Sequence, residues 1–141
     1  MIIPGVIASE KRNVPNAPTI GTATDAGSGR AYNNGAATVT FTAPTYTGGL
    51  PITSYTVTSS PGGFTASGAS SPITVTGLQS STSYTYTVTA TNALGTSSAS
   101  SASNSVTATT VPQAPTIGTA TDGGTGTTVT VAYTAGATGG S

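Results

Sequence analysis

Short stretches in which apolar residues alternate strictly with threonine run through residues 20–108. In the clearest of these stretches, Tyr84, Tyr86 and Val88 are separated by single threonines. The same period of two recurs at 37–43, 55–58, 73–76 and 106–108, and Ile20 and Ala23 open the series. A period of two places one face of a strand in a core and the other face in solvent. No apolar stripe of helical period is present, so the pattern predicts an all-β protein.

Turn signals rich in Gly and Pro separate the alternating stretches, for example Gly48-Gly49-Leu50-Pro51 and Pro61-Gly62-Gly63. Short strands at this spacing are typical of a seven-stranded antiparallel β-sandwich with one core-facing side on each strand. The residues expected to form the structural core are Phe41, Tyr55, Val57, Leu78, Tyr84, Tyr86 and Val88.

A repeat divides the chain. The twelve residues that begin at Val14 recur 97 residues later, beginning at Val111, and only Asn16 is replaced, by Gln113. Tandem domains explain this spacing better than solenoid repeats do, because solenoid units are shorter. The repeat predicts an N-terminal docking arm at 1–13, a complete module at 14–110 and the start of a second, incomplete module at 111–141. Two strands cannot bury a core, so we expect further chain or a partner to complete the second module.

Composition removes most kinds of chemistry. The chain has no Cys, His or Trp, and its three basic and three acidic residues give a net charge of zero. It therefore lacks the commonest general base, the thiol nucleophile and the soft metal ligands. Six charges cannot build the basic surface that nucleic acid requires, and no stretch approaches the ~20 apolar residues of a membrane span. We expect no enzyme activity, cofactor, metal, nucleic-acid binding or membrane insertion.

The acidic residues do not form a catalytic pair in the sequence. Asp25 and Asp122 occupy the same position in successive repeats, so they should lie one module apart. We expect each to fix the turn after its strand, next to Gly27 or Gly123-Gly124.

Several motifs together resemble the fibronectin type III module. They are Phe41-Thr42-Ala43-Pro44, Gly48 to Val57, Val75-Thr76-Gly77-Leu78 with Tyr84 six residues later, and Val88 to Gly95. The resemblance covers residues 14–110 as one module and 111–141 as the first strands of another. It implies that Tyr84 is the tyrosine-corner residue, whose hydroxyl bonds to the backbone near Leu78, and that Phe41 fills the place usually held by Trp. The loop from Asn92 to Ser103 has no Arg-Gly-Asp tripeptide, so integrin-type adhesion is not expected.

Two tyrosines lie in predicted turns and are the candidate glycan contacts. Tyr32 precedes Asn33-Asn34-Gly35, and Tyr46 precedes Thr47-Gly48-Gly49. An exposed aromatic ring can stack on a sugar. The alternative is that both rings only pack their own loops.

The N-terminal arm holds four large aliphatic residues that belong to neither repeat. The residues expected to dock on a partner are Ile2, Ile3, Pro4, Val6 and Ile7. Four such side chains in a groove or an added strand would anchor a module. The alternative is a frayed terminus.

The low charge and the Thr/Ser/Gly/Ala-rich strands are also similar to Ig-like and fibronectin-like domains of tailed-bacteriophage virions. This second resemblance implies a structural decoration protein on the head or on a tail fibre or other appendage of a virion. The arm would bind other virion proteins, and the modules, in one or several copies on the particle, would adhere weakly to cell-surface carbohydrate. The alternative is a secreted or surface bacterial protein whose modules are extracellular spacers.

Overall fold

A computed structural model describes residues 11–124 and 126–140, and within them the protein consists of strands and turns with no helix. Ten strands are present in these ranges. They are β1 (Thr19–Asp25), β2 (Gly35–Thr42), β3 (Ile52–Ser60), β4 (Thr65–Gly68), β5 (Ile73–Leu78), β6 (Ser83–Asn92), β7 (Gly95–Thr96), β8 (Val106–Thr107), β9 (Thr116–Asp122) and β10 (Val129–Thr134).

Strands β1 to β8 form a β-sandwich of two antiparallel sheets. One sheet has the order β1-β2-β5, and the other has the order β4-β3-β6-β7, with β8 pairing to β6. The pairing of β3 with β6 is the longest, running from Ile52 opposite Asn92 to Ser60 opposite Thr85. Thr on the outer faces suits these strands because it is both β-branched and polar.

The core lies between the two sheets. All seven residues expected there from the sequence are buried, with Phe41 and Tyr55 the most exposed of them at 7%. The rings of Phe41 and Tyr55 pack with their centroids 4.8 Å apart. Phe64 packs edge-on against Tyr84 with centroids 6.0 Å apart. Alternation in the sequence therefore identifies the inward faces.

The strand count differs from the seven expected, because eight strands precede residue 111. β4 was missed because its four residues alternate only between exposed and half-buried positions. β7, two residues long, lies within residues 92–103, which were expected to be a loop, whereas β8 lies in the alternating stretch 106–108. Between them, residues 97–105 run along the edge of β6 without forming a strand.

Strands β9 and β10 form a hairpin whose register repeats that of β1 and β2. In both hairpins the register shifts at the same place in the repeat. The paired positions are Ile20–Phe41 and Ala23–Val39 in the first hairpin, and Ile117–Tyr133 and Ala120–Val131 in the second. The apolar side chains of β9 and β10 are uncovered, with Ile117 76% and Tyr133 71% exposed. The second module predicted from the repeat stays a prediction, since these two strands enclose no core.

The chain enters and leaves the sandwich at opposite ends. On the entering side, the Asn13 N–H donates to the Gly48 carbonyl (2.9 Å), and the Asn92 side-chain amide donates to the Asn13 carbonyl (2.8 Å). Asn92 is the last residue of β6, whereas β8, which leads out of the sandwich, pairs with Ser83 at the start of β6. The ten residues of β6 separate the two ends by about 30 Å.

Candidate functional site

An open depression lies at the end where the chain enters. Its volume is about 480 Å³, and it is lined by Lys11, Thr45, Tyr46, Thr47 and Gly49. The Tyr46 side chain is 43% exposed, and its carbonyl accepts from the Asn16 N–H (3.0 Å), which holds the loop against the start of the domain. One exposed ring beside hydroxyls and an ammonium group suits a polar ligand such as a sugar.

Tyr32 lies at the opposite end of the sandwich. Its side chain is half-buried in the loop between β1 and β2. The next residue, Asn33, donates its N–H to the Ser80 hydroxyl (2.9 Å), which places this loop at the end where the chain leaves. The structure therefore does not bring Tyr32 and Tyr46 into one site.

The two aspartates act on turns, as predicted from their place in the repeat. The Asp25 carboxylate accepts from the N–H groups of Gly27 (3.3 Å) and Thr109 (3.2 Å), and also from the Thr109 hydroxyl. The Asp122 carboxylate accepts from the Gly124 N–H (3.0 Å). Asp25 thus joins the end of β1 to the segment after β8, and among the described residues the two carboxylates bond to separate turns.

Within residues 11–124 and 126–140, no three His, Cys, Asp or Glu side chains come together as a metal site would require. No helix in the same ranges has the length and apolar character of a membrane span. The docking residues Ile2, Ile3, Pro4, Val6 and Ile7 lie outside the described residues, and docking by them stays a prediction.

Tyr84 and Tyr86 are neighbours on one face of β6, but their hydroxyls differ. The Tyr84 hydroxyl accepts from the Gln79 N–H (3.0 Å), next to Leu78, as the resemblance implied for a tyrosine corner. The Tyr86 hydroxyl is buried and has no hydrogen-bond partner among the described residues. Burial, and to a lesser extent Tyr84 and Asp25 nearby, raises the pKa of Tyr86 to about 12. The hydroxyl therefore stays neutral, because a buried phenolate would be poorly solvated.

The segment 97–105, here called the serine segment, is hydrogen-bonded to β6 through every third residue. Each of these residues is a serine that uses both its backbone N–H and its hydroxyl. The N–H of Ser100 donates to the Val88 carbonyl (2.9 Å), and the Val88 N–H donates to the Ser100 hydroxyl (3.0 Å). Ser97 makes the same pair of bonds with Ala90, and Ser103 makes it with Tyr86. Three residues of the segment therefore match two residues of the strand.

Sequence reasoning missed this arrangement and described the region as a loop. The signal that could have found it is a period of three, Ser-Ser-Ala, Ser-Ser-Ala, Ser-Asn-Ser, at residues 97–105. Each repeat begins with the serine that bonds to β6.

The fibronectin type III domain family matches residues 27–106, more than half of the chain. The chain belongs to this family. The match covers the sandwich from the turn after β1 to the start of β8 and supports the all-β fold described above. Fibronectin type III domains are in general non-catalytic structural or binding modules.

Solved structures agree with the family assignment. The chain is 25% identical to titin kinase and its flanking domains, with a TM-score of 0.52, covering 67% of this chain and 17% of that chain. It is 25% identical to a crystal structure of titin domains, with a TM-score of 0.55, covering 67% of this chain and 32% of that chain. The twitchin kinase region from C. elegans shares the fold at 20% identity and a TM-score of 0.55, covering 68% of this chain and 17% of that chain.

This fibronectin type III protein therefore spans less than a third of the length of each of these structures. A search of curated proteins found no match to the chain.

Proposed function

We propose that this chain is a non-enzymatic spacer and display protein built from fibronectin type III domains. The observation that carries the proposal is the position of the two ends of the sandwich. The chain enters beside Asn92 and leaves beside Ser83, at opposite ends of β6. Each domain then adds the length of one long strand to whatever it is joined to, which is the geometry of a spacer.

The hairpin β9–β10 is the beginning of a second domain of the same kind. Its register repeats that of β1–β2, and the residues equivalent to Val39 and Phe41 of the first core are Val131 and Tyr133. These two side chains are 47% and 71% exposed, as half of an uncovered sandwich core would be.

The chain belongs on a virion, as a decoration protein of the head or of a tail appendage. The near absence of charge and the Thr/Ser-rich outer faces support this setting, since they limit nonspecific ionic attachment. Residues 1–13 bind other virion proteins, with Ile2, Ile3, Val6 and Ile7 as anchors. Several copies on one particle bind at the same time, so avidity makes their weak contacts with cell-surface carbohydrate effective.

Fractionation of the source material tests the location. Peptides of the chain should co-purify with intact particles by mass spectrometry, and deletion of residues 1–9 should release a protein whose domain remains folded. Recovery in a cell-wall or culture-medium fraction instead would favour the alternative, a secreted or surface bacterial protein in which the domains are spacers. A deletion variant that still assembles would contradict docking by the arm.

Carbohydrate contact is tested separately at the two tyrosines, because they lie at opposite ends. The exposed Tyr46 is the stronger candidate, since its ring lines the open depression. Tyr46→Ala should lower binding on a glycan array more than Tyr32→Ala does, because the Tyr32 side chain is half-buried. Equal binding by both variants and the unaltered protein would remove glycan binding at these sites.

A further inference from the structure

The end where the chain leaves the first domain is bonded to the second unit. Thr110 is 6% exposed. Its hydroxyl lies 2.6 Å from the Ser80 hydroxyl, and its N–H donates to the Gly139 carbonyl (2.8 Å). The next residue, Val111, donates its N–H to the Arg30 carbonyl (2.9 Å). Thr110 thus contacts the first domain through its hydroxyl, and it contacts the second unit through its backbone N–H and, at 3.4 Å from the Gly139 carbonyl, through the same hydroxyl.

Two glycines close this contact from the other side. Of residues 111–124 and 126–140, Gly139 alone is buried. A Cβ on Gly139 would lie 2.3 Å from the Thr110 carbonyl oxygen, and a Cβ on Gly140 would lie 2.8 Å from the Ser81 nitrogen and 3.0 Å from the Ala108 carbonyl oxygen. Only glycine allows the backbone to approach the first domain so closely.

The first domain contains the same loop, with no other domain beside it among the described residues. Thr47-Gly48-Gly49 is the counterpart of Thr138-Gly139-Gly140, because Gly48 accepts from Asn13 as Gly139 accepts from Thr110. Gly49 and Gly140 both have positive φ, +73° and +89°. A Cβ on Gly49 would meet only the Arg12 side chain, at 3.7 Å, among the described residues.

We infer that the surface formed by Ser80, Ser81 and Ala108 is a docking site for the Thr-Gly-Gly loop of the following domain. The partner is the next fibronectin type III domain of the same chain, so this inference rests on the proposed second domain. The bond between Gly139 and Thr110 holds the loop within its own unit. The second glycine of the loop, Gly140, packs against Ser81 and Ala108 of the domain before it. Successive domains are therefore joined at a fixed angle, and an array of them projects as a stiff rod.

The test compares Gly140→Ala with Gly49→Ala in the full chain. Both variants place Ala at a positive φ, but only Gly140→Ala brings a Cβ against a preceding domain. We expect the Thr110 amide to exchange about tenfold faster in Gly140→Ala, the effect of losing one hydrogen bond, and to be unchanged in Gly49→Ala. In the unaltered protein, ¹⁵N heteronuclear NOE values at Gly139 and Gly140 should equal those of the β-sandwich.

A Gly140→Ala variant with an unchanged Thr110 amide exchange rate would overturn the inference. Heteronuclear NOE values at Gly139 and Gly140 as low as those of an unstructured terminus would also overturn it. The thermal unfolding midpoint of the first domain, expected to be equal in the unaltered protein and Gly140→Ala, shows that the domain itself is intact. The proposed location on a virion is tested independently by co-purification. A protein that co-purifies with particles can still show no contact between Gly140 and the first domain.

Discussion

Tyr84 and Tyr86 provide a direct test of the polar chemistry in the core. Tyr84→Phe and Tyr86→Phe each remove one oxygen from a side chain that is at most 1% exposed, so the apolar packing is the same in both. The Tyr84 hydroxyl has the Gln79 N–H as its partner, 3.0 Å away, while the Tyr86 hydroxyl has no partner among the described residues. The two variants should therefore have different effects on the free energy of unfolding.

Loss of the Tyr84 hydroxyl should lower the free energy of unfolding by about 1 kcal/mol, the usual net value of one hydrogen bond. Removal of the Tyr86 hydroxyl should leave it unchanged or raise it by up to about 1 kcal/mol, because an unpaired buried polar group is removed. The resulting difference of about 1–2 kcal/mol corresponds to roughly 5- to 30-fold in the unfolding equilibrium constant.

Urea unfolding at neutral pH, followed by circular dichroism, measures this difference through the midpoint at constant slope. Each variant is the control for the other, since they share strand, residue type and burial. If Tyr86→Phe destabilises the protein as much as Tyr84→Phe does, the Tyr86 hydroxyl makes a bond that the structure lacks, and the reasoning fails.

Three further results are expected. Because burial raises the pKa of Tyr86 to about 12, ionisation of this tyrosine in the unfolded chain should lower the free energy of unfolding as pH rises from about 10, the pKa of unfolded tyrosine, toward 12. Tyr86→Phe should abolish this part of an alkaline unfolding curve, with no pH effect from this group below about pH 10. Ser100→Ala leaves the Val88 N–H unpaired and should cost about 1–2 kcal/mol in urea unfolding, whereas Ser101→Ala, at an exposed position, should cost nothing measurable. Asp25→Ala removes three hydrogen bonds at the turn and should lower the thermal midpoint; an unchanged midpoint would show that the turn needs no carboxylate.

Alternation predicted the inward faces well, because burial on one face forces a period of two. Tyr84, Tyr86 and Val88 all face the core for that reason. The turn role of Asp25 was also predictable, since a carboxylate two residues before a glycine has a local partner. Its bonds to Thr109 were not, because they depend on how β8 returns to the end of β1.

Contacts between segments that are distant in the sequence could not be predicted from the sequence. Tyr32 and Tyr46 are both in turns, and only the fold shows that the turns are at opposite ends. The Thr-Gly-Gly loops read as simple turns, yet the contact of Gly140 with Ser81 needs the second unit in place. The sequence gives no sign that the Tyr86 hydroxyl lacks a partner among the described residues, because Tyr84 stands in the same alternating pattern.

The serine segment has a consequence for how copies of this protein behave when crowded. The edge of a sheet with free N–H and C=O groups invites a strand from a neighbouring molecule and so promotes aggregation. Along β6 those groups are occupied by Ser97, Ser100 and Ser103, in a segment whose period of three cannot continue a ladder of period two. Many copies can then stand side by side at high local concentration without growing into a shared sheet along this edge.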